Sequence, residues 1–441
     1  MPIAYDPDRR TITIHTDRTT YQMQVDEIGV LEHLYYGRRS AGTFDYLPTR
    51  FDRGTSPSPY EKRDERSYSL DFLPQEYPVQ GVGDMRSPLL MVRDGSGAFG
   101  CDLRYVRHEI REGKYSLEGL PAVYADQAGD EAQTLCVTLR DERLALEVEL
   151  LYGVLPRIDV ICRAAIVRNL GDVTLTVEKA QTACLDLVHG DYEVITFPGR
   201  HAMERIATRT RIDQLSYVVG SERGTSSHQQ NPLLVLAERG ATEVAGRCWA
   251  MEFVYSGSFK GEVMRDQYEQ TRMQLGLSDG LFSYPLEPGC GLVCPEVIMS
   301  YSARGLDRLS NNLHACVRSH VCRGYWRDRV RPVLINSWEA FYFDFDGDRL
   351  VEFAQKASEL GIELLVVDDG WFSNRCDDRR GLGDWRVNER KIGGTLGQLI
   401  AAVNDCGLEF GIWMEPEMVS EDSDLYRRHP DWALAIPGKA P

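Results

Sequence analysis

The chain has 441 residues, 43% apolar and 27% charged, an ordinary globular composition too long for a single core, which predicts two or three domains. A formal charge of −17 with no basic run argues against nucleic acid, whose phosphates need clustered Lys and Arg, and favours a neutral small-molecule partner. The start, Met1-Pro2-Ile3-Ala4-Tyr5-Asp6, has no secretory leader pattern, and no run reaches the roughly eighteen apolar residues of a membrane span.

To about residue 304 the pattern is all-β. Thr11 to His15, Thr20 to Val25, Leu144 to Leu150, Arg157 to Arg163 and Thr174 to Val177 alternate apolar with polar residues. Turn residues separate them at the intervals of a large sandwich. Between Tyr46 and Pro88 the chain is polar and Pro-rich with little periodicity, and it reads as an extended functional or interface loop rather than a core element. Gly305 to Val321 places Leu306, Leu309, Leu313, Val317 and Val321 on one helical face, so residues 305–330 read as a linking helix between two domains.

Residues 331–441 run strand, helix, strand, helix, strand. Leu350, Phe353, Ala354, Ala357 and Leu360 share a helix face closed by Gly361; Leu396, Leu399, Ile400 and Val403 repeat this before Gly407. The strand Leu364-Leu365-Val366-Val367 is apolar without alternation, as a parallel strand covered on both faces is. A doubly wound sheet would place a Gly-rich phosphate loop after its first strand, and none occurs here. Three β/α units of a parallel sheet are the reading; a complete (β/α)8 barrel takes on the order of 250 residues, so the doubly wound alternative fits this length more easily and stays open at this point.

Eleven cysteines, an odd number without a CxxC pair, read as reduced thiols in a cytoplasmic protein. Neither they nor the nine histidines approach zinc-ligand spacing, so no metal or other cofactor is expected.

In parallel β/α structures, chemistry sits at the carboxyl ends of the strands. Those ends hold Trp338 and Glu339, then Asp368, Asp369 and Trp371, then Trp413, Glu415 and Glu417. Carboxylates accept from vicinal hydroxyls while an indole face covers the C–H side of a pyranose, so the combination points to a sugar site. A single strand-end Asp more often caps the next helix. Acid beside Trp at three successive strand ends outweighs that reading. A catalytic glycosidase pair stands about 5 Å apart when retaining and about 6.5–9.5 Å apart when inverting. Adjacent Asp368 and Asp369 would face opposite sides of a continuing strand, so at most one of them aims at a scissile bond. Asp368 could face Glu415 from a neighbouring strand, but nothing in the sequence selects that pair.

The runs INSWEAFYFDF, LLVVDDGWF, LGDWRVNERK, FGIWMEPEMVS and LYRRHPDW, together with SLDFLPQEYPVQGVGDMR, SSHQQNP and FVYSGSF, resemble the α-galactosidases (melibiases) of glycoside hydrolase family 36 over essentially the whole chain. The resemblance implies a multidomain β and α/β fold: an N-terminal β-supersandwich (1–304) followed by the first part of a (β/α)8 TIM barrel (331–441). It implies metal-free, retaining cleavage of terminal α-galactose from α-galactosides such as melibiose and raffinose. Carried over to matching positions, Asp368 and Asp369 bind galactose hydroxyls, and Trp338 and Trp413 line the sugar pocket. Asp52, in FDRGTSPSP, matches an acid that reaches a neighbouring subunit's pocket in tetrameric relatives, so a homo-oligomer is implied. The family nucleophile lies in a Lys-Trp-Asp motif on the fourth barrel strand, and its acid/base lies beyond that. Neither is found here, so no residue is assigned a catalytic role, and the chain is expected to be an inactive N-terminal portion. A further departure is Gly199-Arg200-His201, where the family has Gly-Ala-Trp. The alternatives are a non-catalytic galactose-binding or oligomerising module, an α-N-acetylgalactosaminidase, or a galactosyl transferase.

Overall fold

The computed structural model describes residues 2–52, 57–126, 129–213 and 216–439. It divides into two compact units, Met1–Arg323 and Gly324–Pro441.

Among the described residues, the first unit is built mainly of antiparallel sheets of four, six and nine strands. Alternation builds them as expected: Leu146, Val148 and Leu150 of the strand Leu146–Leu155 enter the main core. The expected strand from Arg157 instead begins with a 3-10 turn, Pro156–Ile158, and the ladder runs Val160–Asn169. Proline has no N–H to offer a ladder, and Asp159, at φ 57°, turns the chain into the strand. In the nine-stranded sheet, Gly291–Ser302 lies between Cys248–Phe253 and Val160–Asn169.

The segment 46–88 corrects the sequence reading. Its second half is core: Tyr68, Leu70, Leu73, Tyr77 and Val79 are buried, and Glu76 is fully enclosed. Glu76 accepts from Tyr21 Oη at 2.5 Å and Tyr152 Oη at 2.7 Å, its carboxylate is ion-paired with Arg163 Nη1 at 2.9 Å, and its other oxygen faces His33 Nδ1 at 3.1 Å. Nearby, Arg272 donates to Asp186 at 2.7 and 2.8 Å and to Asp84 at 2.9 Å, while Arg86 donates to Asp84 at 2.9 Å. Buried charge is tolerated when it is paired and hydrogen-bonded on every side. A stretch held by such side-chain networks rather than by a ladder has no reason to be periodic.

The helix Gly305–Cys316 continues into a π turn, Val317–Val321. Leu309, Leu313 and Cys316 pack with Val160, Cys162, Ala250 and Ile298, so the helix covers a face of the nine-stranded sheet within the first unit.

In the second unit, Leu334–Asn336, Leu364–Val367 and Glu409–Ile412 form a parallel sheet in chain order. Helices Gly347–Glu359 and Leu396–Asp405 make the crossovers, capped by Asp346 and by a reciprocal Thr395–Gln398 box. Gly361 and Gly407 close them at φ +80° and +88°. Leu360, expected on the buried face, is 82% exposed because the last turn ends one residue before it. Leu365 and Val367 pack with Leu350, Ala354, Leu399 and Val403, whereas Leu364 and Val366 are only partly buried. The expectation of a strand covered on both faces therefore holds for one face within this unit. No helix among the described residues is long and apolar enough to cross a membrane.

Candidate functional site

The parallel register brings the three strand ends together. Val366 C=O accepts from Ser337 N–H at 3.0 Å, and Val367 C=O accepts from Trp413 N–H at 2.9 Å. This sets the residues that follow each strand side by side.

The adjacent acids then diverge. Asp368 Oδ2 accepts from the Asn336 amide at 2.6 Å, and its Oδ1 accepts the N–H of Asp369 at 2.8 Å. Its own N–H donates to Ser337 Oγ at 3.0 Å. Each of these donors is neutral, and the side chain is only partly buried. Asp369 is different. Arg375 grips it through Nε at 3.0 and 3.1 Å and through Nη2 at 2.7 Å, and both residues are 6% exposed. Such a bidentate pair fixes orientation as well as charge. Arg375 is itself held by donating Nη1 to Arg380 C=O at 3.0 Å.

The turn between these acids and Trp371 requires glycine. Gly370 has φ +102°, and a Cβ there would sit 3.0 Å from the Phe343 ring and 3.2 Å from Lys391 Nζ. Trp371 is buried and donates Nε1–H to Trp413 C=O at 3.0 Å, so it ties two strand ends rather than facing a ligand. Trp413 is half-buried and meets Trp385 edge-on at 6.1 Å. Trp338, also half-buried, meets Tyr342 at 5.0 Å and Phe343 at 5.2 Å edge-on. Burial first, then the charges of Glu417 and Asp369, raises the Glu415 carboxyl above its ordinary range. Glu417 and Glu339 are exposed. The alternative expectation, capping, applies to another acid: Asp384 accepts the N–H groups of Asp424 and Leu425 at 2.8 and 2.9 Å.

Asp368, Asp369, Trp338 and Trp413 thus gather at one end of one sheet. Asp52 belongs to the first unit, largely exposed, with Arg66 Nη2 at 3.2 Å; residues 53–56 of its motif lie outside the described residues. His201 is exposed in a turn. Asn336, Ser337, Arg375 and Lys391 were not singled out in the sequence. Asn336 and Ser337 directly precede Trp338, a position that could have marked them; Arg375 lies in an aperiodic loop and Lys391 in the one-turn helix Glu389–Ile392, too short to show a period.

Among the described residues no group of His, Cys, Asp and Glu could hold a metal ion. A large cavity, about 950 Å³, belongs to the first unit and includes none of the strand-end residues. Its arginines Arg104, Arg140 and Arg143 are engaged by Asp102, Glu147 and Asp94, so its charges are already matched within the protein. The chemistry therefore favours the strand ends over this cavity.

Residues 29–287 match the glycosyl hydrolase family 36 N-terminal domain, and residues 292–441 match melibiase. The bifunctional alpha-galactosidase/sucrose kinase AgaSK of Mediterraneibacter gnavus is 54% identical over 441 residues, 100% of this chain and 47% of that protein. Alpha-galactosidase AgaA of Geobacillus stearothermophilus is 42% identical over 444 residues, 100% of this chain and 60% of its own. The solved galactosidase domain of AgaSK superposes with a TM-score of 0.97 at 54% identity, over 99% of this chain and 60% of that one. A variant of AgaA from G. stearothermophilus in complex with raffinose superposes with a TM-score of 0.94 at 42% identity, over 97% and 60%. The chain spans about half to three-fifths of the length of these relatives. With both family matches in sequence order and a mostly β multidomain fold shared with these structures, the chain belongs to glycosyl hydrolase family 36.

Proposed function

We propose that this chain is part of an α-galactosidase and supplies the seat for the terminal, non-reducing α-D-galactose of its substrate. Asp368 accepts hydroxyl hydrogen bonds, Trp338 and Trp413 offer indole faces to the C–H side of the ring, and Asp369 completes the polar end of the seat under the grip of Arg375. The three parallel strands are read as the opening of a (β/α)8 barrel. The sequence contains no Lys-Trp-Asp, so the nucleophile and acid/base of a retaining double displacement would come from outside residues 1–441. Asp52 and a homo-oligomeric assembly enter this reading by resemblance.

One observation carries the proposal. Asp368 is a carboxylate at a parallel strand end whose protein partners are neutral, between two half-buried tryptophans. Such a group retains acceptor capacity and charge for a ligand, which a carboxylate already matched by Arg does not. Crystal structures of AgaA variants from G. stearothermophilus in complex with raffinose and with stachyose support the substrate class.

The test is calorimetric titration of the 441-residue chain with D-galactose. Binding is expected, and Asp368→Asn should weaken it about 10- to 100-fold, the value of one or two hydrogen bonds to a charged group. Undiminished affinity in that variant removes Asp368 from the seat. Turnover of a chromogenic α-galactoside by the chain itself would overturn the placing of the catalytic acids elsewhere.

A further inference from the structure

The segments carrying Trp338 and Asp368 are not neighbours in sequence, and backbone ladder bonds stop short of both. At the strand ends Asn336 links them, accepting the Trp338 N–H at 2.7 Å and donating to Asp368 at 2.6 Å, and further out a second link is made by the side chain of Lys391. It sits in the short helix Glu389–Ile392, whose cap, Asn388, accepts the Lys391 N–H at 3.0 Å and donates Nδ2 to Ser373 C=O at 2.6 Å. The Asn388 N–H donates to Trp371 C=O at 3.0 Å, so the base of Lys391 is tied to the turn after the second strand.

From there the ammonium reaches across. Lys391 Nζ donates to Phe343 C=O at 2.9 Å and to Gly370 C=O at 2.8 Å, and it lies 4.0 Å from the centroid of the Phe345 ring. Phe343 meets Trp338 edge-on at 5.2 Å, and Gly370 follows directly on Asp368-Asp369. Phe343 is held from another side as well, with the Arg375 guanidinium 5.5 Å from its ring centroid. A half-buried ammonium would ordinarily seek a carboxylate; here two carbonyls and an aromatic face take it. Burial lowers the Lys391 pKa, and no ligand-like group is needed to account for its contacts.

We propose that Lys391 is a positioning residue that rivets the Trp338 loop to the Asp368-Asp369-Gly370 turn, so that indole and carboxylate keep one mutual geometry. The role deepens the galactose-seat reading for its binding consequence, but the rivet itself is a property of the ligand-free chain. Loss of the ammonium frees two carbonyls and leaves the outer parts of both segments, around Phe343 and Gly370, without their shared tie, held only by Asn336 and Ser337 at the strand ends. Lys391→Met keeps the aliphatic stem and removes the donors, whereas Lys391→Arg keeps a cation with several donors.

Hydrogen exchange on the chain without sugar reads the rivet directly. In Lys391→Met, amides of residues 338–346 and 368–372 should exchange together about tenfold faster, with the sandwich strands unchanged, and Lys391→Arg should restore much of the protection. Unchanged exchange in both segments, or an equal loss throughout the second unit with no rescue by Arg, overturns the proposal. In parallel, D-galactose titration of Trp338→Ala, Asp368→Asn and their double variant is run in wild-type and Lys391→Met backgrounds. The coupling between the two positions should be present in the first and reduced in the second. Coupling undiminished by Lys391→Met also overturns the rivet. If the wild-type chain shows no galactose binding while exchange behaves as expected, the sugar reading fails and the rivet stands.

Discussion

The first unit encloses Glu76 and Asp186 with cations, whereas the second sets a matched acid beside an unmatched one. In the first, Glu76 is enclosed by Arg163, two tyrosines and His33, and Asp186 by Arg272 and Arg86. Burial alone would raise the Glu76 carboxyl, but Arg163 and then His33 hold it below its ordinary range. In the second unit, Asp369 follows the same pattern with Arg375, whereas Asp368, one residue away, is served by an amide and a backbone N–H. A matched charge orders the protein around it. A charge given only neutral partners, at the rim of a sheet, is left with a field for something else to satisfy.

The largest expected effect breaks or confirms the first half of that contrast. Arg163→Met leaves Glu76 enclosed without its cation, and the first unit should lose about 3–5 kcal/mol in urea denaturation, as broken buried ion pairs do. A loss below about 1 kcal/mol would mean that the tyrosines and His33 suffice, and the distinction between matched and unmatched acids would lose its energetic basis.

Glu32 sharpens the contrast from within the first unit, because it is buried without a cation. Burial, then Asp26, pushes its carboxyl up to about 8, and its Oε1 has no hydrogen-bond partner. A folded-state value above the unfolded one contributes stability that is full below the unfolded range near pH 4–5 and is lost as pH rises through about 8. Wild-type stability should therefore fall between pH 6 and pH 9, and Glu32→Gln should flatten that slope. At pH 9 the variant should be the more stable by on the order of 3 kcal/mol. Parallel slopes in the two proteins would show that Glu32 is not the titrating group.

The smallest effect is the most discriminating. Asp368→Asn should change the stability of the second unit by no more than about 0.5 kcal/mol, while Asp369→Asn, which strands Arg375, should cost about 2 kcal/mol. Equal costs in thermal melts would erase the difference between these neighbours.

Much of the architecture was legible. Alternation marked Thr11–His15 and Leu144–Leu150, the latter two residues ahead of the strand that starts at Leu146, and helical spacing closed by Gly361 and Gly407 marked the crossovers. The gathering of Asp368, Asp369, Trp338 and Trp413 followed from strand ends in parallel register. What escaped depended on side-chain pairing across long separations. The stretch from Tyr68 to Val79 was read as loop because its burial is organised by Tyr21, Tyr152, Arg163 and Asp186 rather than by a period. Arg163 falls in an alternating run, which says nothing of a guanidinium wholly enclosed. The fates of Asp368 and Asp369 were indistinguishable in sequence, since Asn336 comes from another strand and Arg375 from a loop without pattern.

The place of Gly291–Ser302 bears on how the molecule is made. It is the last strand of the first unit to be synthesised, yet it lies mid-sheet, joining strands completed more than forty and a hundred residues earlier. Until the ribosome releases it, two half-sheets wait with exposed, unpaired edges, each able to capture another nascent chain. Biogenesis of the first unit should accordingly be slow, non-local and sensitive to crowding or chaperone supply, however stable the finished product.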